Sequence, residues 1–447
     1  MDSEKKTTQV FDNLLFPKIF QTFRMAIQPS KLIIAFCAVA VICLAGWIMD
    51  LTKTVVTTQT QINIGGQPLT ADKLTELQIY LTQPNQVKSY IEQYKESGNR
   101  TGVFSTLWNF AAVSFHNALK SLFAFNLPGV ATNIANYFKA VGWALRYHFL
   151  YCIIFFVIKL SVISIAGGSL CRITALQFAR GEKPGLSEAL SYSTQKFLSF
   201  FTAPLVPAGI IIFIGLFVFL LGLIANIPRA GELILGIFML LALMAGALIA
   251  IVLIGTVAGF NLMFPAVAYD GSDCFDAISR SFSYVYSRPW RMGFYTAIAA
   301  VYGAICYVFV RFFAFLLLSA TRWFMQLGVW VKYPGQVDNK LTAIWPEPSF
   351  MNLLGSGGLA TTDGSQSIAA FLVYLVLLIV IGLLAAFIIS FYFSANTIIY
   401  SLMRNKVDNT ALEDIYTPLE TEPTITETKS EESQSQSESE IQAGSSP

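Results

Sequence analysis

Residues Phe264–Arg291 read FPAVAYDGSDCFDAISRSFSYVYSRPWR and join two very apolar segments. Phe275, Ile278, Phe282 and Val285 recur at steps of three and four, which is the spacing of one helical face. Asp273 stands where an N-cap is expected, and Asp276 falls in the first turn, where a negative charge meets the positive end of the helix dipole. Asp276 and Arg280 form an i,i+4 pair on the polar face. Pro289 ends the helix, and Arg291 stands at the start of the next apolar run.

The same device occurs earlier in the chain. Glu188-Ala-Leu-Ser-Tyr-Ser193 aligns with Asp276-Ala-Ile-Ser-Arg-Ser281, and the expected N-caps coincide, Gly185 on Asp273. A looser third copy sets Pro29-Ser-Lys31 on Pro289-Trp-Arg291. An amphipathic helix on the inner leaflet, followed by a basic residue at the headgroups, leads the chain into the bilayer. Spans two and three with their linker therefore match spans four and five as a parallel pseudo-repeat.

The pattern of a small polar turn, an acid, Ala-Ile, Arg-Ser-Phe and then Pro-Trp-Arg resembles a linker found in a broad set of bacterial polytopic membrane proteins. Among them are the membrane domains that accompany some glycerophosphodiester phosphodiesterases. The likeness covers Asp270–Arg291 well and Arg180–Phe201 more weakly. It implies an architecture and no activity. The chain has no phosphodiesterase catalytic domain, so no catalytic residue is carried over.

Composition points to lipid as the solvent. Of 447 residues 55% are hydrophobic and 13% charged, where a soluble domain carries about 25% charged residues. A net charge of +2 gives no bulk argument for nucleic acid. Cys37, Cys43, Cys152, Cys171, Cys274 and Cys306 form no CxxC and read as buried thiols. His116 and His148 are the only histidines, too few for a His-based metal site. With no phosphate-binding glycine loop, HExxH or Ser/His/Asp set, the expectation is a protein without catalytic, cofactor or metal residues.

The expected fold is all-α: a polytopic membrane helical bundle with six transmembrane helices, amphipathic interfacial linker helices and a small helical extracytoplasmic insertion. Residues 1–31 read as a cytoplasmic amphipathic arm and 32–50 as the first span. Residues 51–143 read as the extracytoplasmic helical domain, and 144–319 as a four-helix core of two pseudo-repeats. An outer loop over 320–367, a last span over 368–400 and a disordered acidic cytoplasmic tail over 401–447 complete the chain. Within the insertion, Leu69–Leu81 and Pro84–Ser97 read as helices, with Thr70 as a cap and Gly65-Gly66 as a turn. Val103–Phe125 opposes an apolar face to a polar one and reads as an interfacial helix, with a core helix of the insertion or a span as alternatives. The arm and the short loops 167–200 and 264–291 carry twelve Lys or Arg, against Arg229 alone in the 228–231 turn. That bias places both termini in the cytoplasm and the protein in the cell inner (plasma) membrane.

Lys159 and Arg311 are charges inside expected spans. Such charges are costly and mark a site by default, so both are candidate lipid or substrate contacts, with Asn261 beside them. Snorkelling or structural pairing is the competing reading. Arg172, Arg180, Lys183, Lys196, Arg280, Arg288 and Arg291 form an inner basic rim suited to anionic lipid. Ala242, Gly246, Ala250, Gly255 and Gly259 are small faces expected to pack within the bundle. The expected partners are membrane lipids, anionic on the inner leaflet, and a protein for residues 51–143 or the tail. Function is expected to be that of a non-enzymatic scaffold or lipid-interacting component. The alternative is a transporter or permease with a site between the two repeats.

Overall fold

The computed structural model describes residues 15–64, 67–96, 98–330, 339–355 and 364–417. The arm before Leu15, the expected turn at Gly65-Gly66 and the tail beyond Thr417 lie outside the described residues. After a 3-10 turn at Phe16–Gln21 come helices α1 (Thr22–Ala26) and α2 (Pro29–Met49). The insertion begins with strands β1 (Val55–Ile64) and β2 (Gln67–Thr75), then helices α3 (Glu76–Thr82) and α4 (Val87–Tyr94). Strand β3 (Asn99–Thr101) and helices α5 (Val103–Phe123) and α6 (Leu127–Tyr147) complete it. The remaining elements are helices α7 (Phe149–Arg180), α8 (Leu186–Gln195), α9 (Phe197–Thr202), α10 (Leu205–Ile224), α11 (Ala230–Asp270) and α12 (Cys274–Ser287). Then follow α13 (Pro289–Gly328), α14 (Lys340–Ile344) and α15 (Gly364–Val407). Among the described residues α2, α7, α10, α11, α13 and α15 are the helices long and apolar enough to cross a membrane. The fold is an all-α polytopic bundle.

The spans outrun the bilayer. Helix α15 has 44 residues, about 66 Å at 1.5 Å per residue, against a hydrocarbon core of about 30 Å. The excess lies at the end that carries the linker helices. There Leu262–Tyr269 of α11 and Phe393–Arg404 of α15 are buried, and with α7 and α12 they form one core. Apolar runs stop short of this end because its polar groups are satisfied by protein. Ser193 Oγ donates to the Ile165 carbonyl at 2.7 Å, Tyr192 to Val267 at 2.8 Å and Ser390 to Ala26 at 2.8 Å. Pro265, which by position looks like span punctuation, sits inside α11.

The two linkers share their boundaries. Helices α7 and α11 both stop on a left-handed glycine, Gly181 (φ 74°) and Gly271 (φ 63°). Helices α8 and α12 start from the expected caps, both extended, Gly185 and Asp273. The Asp273 carboxylate accepts from the Asp276 amide at 2.9 Å. The third copy diverges: Lys31 is fully buried and donates to Thr174 and Gln177 at 2.8 and 3.3 Å, not to headgroups. Helix α1 and the turn before it pack along α13 and α15, with Phe16 on Phe294, Phe20 on Tyr302 and Phe23 on Phe387.

The insertion departs from its expected all-helical form. It holds a three-stranded antiparallel sheet in the order β2-β1-β3. Residues 69–75, read as the start of a helix with Thr70 as a cap, pair with β1 instead within strand β2, and the helix begins at Glu76 with Thr75 as its cap. The β-branched run Val55-Val56-Thr57-Thr58 favours a strand, and its partner follows it there over its own helical spacing. A 3-10 turn at Pro84–Gln86 precedes the shorter helix α4. Glu76 joins sheet and bundle: it accepts from the Val56 amide at 2.6 Å and lies 3.4 Å from His148.

Helix α5, read as interfacial, makes protein contacts at its start and again at its middle. Its start is held at the end of α2, where Asp50 accepts from the Phe104 and Ser105 amides at 2.9 and 2.8 Å and from Tyr151 at 2.8 Å. Gly102 is required there, since a Cβ would strike the Asp50 carboxylate. From that point α5 runs down the bundle until Phe115 meets Tyr307 in the middle of α13, with ring centroids 5.2 Å apart. It then turns back as α6 through Phe125, which has φ 54°. Phe125, Leu127 and Phe138 point outward and exposed from this hairpin.

Two further expectations are revised. The small-residue face of α11 packs unevenly: Gly255 lies on Phe282, Gly259 on Ser281 and Ala242 toward α10, whereas a Cβ on Gly246 would meet nothing within 4 Å. Of the cysteines, Cys171 and Cys306 are buried, Cys37 is exposed and the rest are half-buried. A thiol on the outer face of an apolar span needs no polar partner, so nothing forces it inward.

Candidate functional site

Sequence-marked charges fall into two buried centres. The first lies where α11 meets α12. Asp270 pairs with Arg280 at 3.2 Å and Arg404 at 3.1 Å, and Tyr400 donates to it. Arg280 also holds Asp276 at 3.0 Å, and Arg404 holds Asp414 at 3.1 Å. Burial alone would lower the Arg280 guanidinium, but Asp270 and Asp276 outweigh it and leave it raised. Tyr284 donates to Asp408 at 2.5 Å; burial first, then that bond and the Asp408 charge, push its hydroxyl above the usual range. Residues 401–415, expected in a disordered tail, instead extend α15 to Val407 and then fold over this centre, with Ile415 buried. Leu412 accepts from Tyr269 and Ile415 from Arg180 at 3.4 Å.

The basic rim therefore divides. Arg172 is buried, donating to Ala268 at 3.0 Å with Tyr192 4.5 Å beneath it, and Lys196 donates to Gly271 at 2.7 Å. Lys183, Arg288 and Arg291 are exposed, and Trp290 beside them is 90% exposed. These are the rim residues placed to meet a charged surface.

The second centre is Arg311, buried near the middle of α13. Nε donates to the Phe350 carbonyl and Nη2 to the Met351 carbonyl, each at 2.9 Å. Nη1 donates to the Tyr307 hydroxyl at 2.7 Å and to His116 Nε2 at 2.5 Å. His116 Nδ1 lies 2.7 Å from the Ala112 carbonyl and must donate there, which leaves Nε2 as the acceptor. Arg311 thus joins α5, α13 and the 346–355 segment. Irregular backbone inside a bundle needs such donors, because its carbonyls have no water. Lys159, the other charge expected inside a span, is half-exposed and makes no hydrogen bond or ion pair to a described residue.

Below Tyr307 opens a cavity of about 340 Å³. Its walls come from α5, α6, α11, α13 and α15, and they are mostly apolar. Asn261 belongs to it, held by a hydrogen bond from Tyr392 at 2.5 Å; Lys159 does not, and neither α7 nor α10 contributes a wall. Thr296 and Asn396, which carried no sequence signal, line its far end. Asn396 lies in the polar run Ser394-Ala-Asn396-Thr397 and Thr296 between Tyr295 and Ala297, so neither stands out locally, and only the closure of the hairpin over them makes a site.

Fold and site together define a polytopic helical membrane protein with a lateral, largely apolar cavity. No family model, no curated protein and no solved structure matches the chain.

Proposed function

We propose that the protein is a non-enzymatic, lipid-interacting component of the cell inner membrane, with both termini cytoplasmic. The observation that carries this reading is the cavity under Tyr307: its volume of about 340 Å³ is within ligand-site range, and its walls are those of spanning helices. Apolar walls suit a hydrocarbon chain, because the chain fills the space with dispersion contacts and, unlike water there, asks for no hydrogen-bond partner. The exposed Lys183, Arg288 and Arg291 lie on the linker face and fit an anionic leaflet, consistent with positive-inside placement. The likeness of Asp270–Arg291 to linkers of other polytopic proteins adds an architecture to this reading and no chemistry. A permease with its site between the repeats asks for walls from both, and this cavity takes none from α7 or α10.

Native mass spectrometry of the protein released from nanodiscs tests the reading. Lipid should stay bound to the wild type and be lost from Ala304→Trp, whose indole fills the cavity. Equal lipid retention by the two would defeat it.

A further inference from the structure

The cavity has a direction. It follows α13 from Thr296 to Tyr307, eleven residues or about 16 Å. That is close to the depth of one leaflet's hydrocarbon, about half of a 30 Å core. At the Tyr307 end the Arg311 cluster closes it. The opposite end, toward the linker face, is where its unpartnered polar groups gather. Asn396 is 5% exposed, and its side chain makes no hydrogen bond to a described residue. Thr296 Oγ1 is buried with no partner among the described residues. The Asn261 carbonyl oxygen is taken by Tyr392, which leaves its amide N–H groups to donate. No charged residue lines the cavity. Exposed Ala300 and Tyr392 mark its opening to the outside.

We infer that this cavity holds one acyl chain of an ester-linked membrane lipid from the linker-side leaflet, with the ester carbonyl accepting hydrogen bonds from Asn396, Thr296 and Asn261. The assignment rests on the lipid-interacting reading and deepens it. Donors without partners in a low-dielectric site favour an acceptor, and a neutral set without Lys or Arg favours a carbonyl over a phosphate. A chain one leaflet long brings its own ester to that end, because the ester sits where the hydrocarbon stops. The headgroup then remains outside, beside the basic rim.

Photo-crosslinking in nanodiscs tests the ester and the lipid separately. Two phosphatidylcholine probes carry the same diazirine-bearing chain, one ester-linked and one ether-linked. The ester probe should label α13 and α15 about fivefold more than the ether probe, the effect of one hydrogen bond. The double variant T296V/N396L should remove that preference while labelling persists. Equal labelling of the wild type by both probes would overturn the ester assignment and leave the lipid reading standing. Labelling of α13 and α15 that survives in Ala304→Trp at the wild-type level would overturn both. Should Ala304→Trp fail to fold, competition on the wild type replaces it: labelling that excess unlabelled ester lipid does not reduce would likewise overturn both.

Discussion

Asp270 and Arg311 are both buried charges, and they are balanced in opposite ways. Asp270 meets two guanidiniums and a hydroxyl, and the network carries on to Asp276 and Asp414. Arg311 meets no carboxylate among the described residues; its partners are two carbonyls, a hydroxyl and an imidazole nitrogen. The first centre closes the linker end by opposite charge, drawing together α11, α12, α15 and residues 408–415. The second uses one cation to satisfy backbone that the bundle would otherwise strand. A clasp of the first kind suits a rigid, sealed end. One of the second kind suits the roof of a cavity, since it holds three elements without filling the space between them.

The comparison is most exposed at Asp270. Asp270→Asn leaves Arg404 and Arg280 facing each other around a neutral group and should cost about 3–5 kcal/mol in denaturant unfolding. A neutral outcome there would mean that opposite charge does not hold the linker end closed. Next comes Arg311→Met, which strips the Phe350 and Met351 carbonyls of their donor and should cost about 3 kcal/mol. Its signature should be local: hydrogen exchange should rise in 346–355 and α5 and stay unchanged in α12. Arg311→Lys should not restore protection, because an ammonium lacks the planar fork that reaches four acceptors. Asp273→Ala removes the cap of α12 and should cost about 1 kcal/mol, well below Asp270→Asn although only three positions separate them. Smallest in stability is the combined neutralisation Lys183→Gln, Arg288→Gln and Arg291→Gln. It should leave the unfolding midpoint unchanged while weakening binding to anionic vesicles, and it should do so less at high salt.

Of the candidates marked in the sequence, Asn261 lines the cavity, Arg311 sits above it and Lys159 stays apart. Intramembrane charge is visible in a sequence; which charge faces a cavity is not. Lys31 shows the same limit from the other side, since its alignment with Arg291 hides that one is fully buried and the other exposed.

What the amino-acid sequence determined by itself was the set of spans, the two linker helices, their caps at Gly185 and Asp273, and the Asp276–Arg280 pair. Each depends on residues within one or two helical turns, or on hydropathy summed along one segment. Tertiary structure alone decided the partner of Arg311, the descent of α5, the docking of 408–415 and the cavity. These join groups far apart in the chain, His116 to Arg311 over 195 positions and Tyr302 to Phe20 over 282. No local period encodes such meetings. The stretch Phe264–Arg291 thus announces how the chain enters the membrane, while the site forms where α5 returns to meet α13.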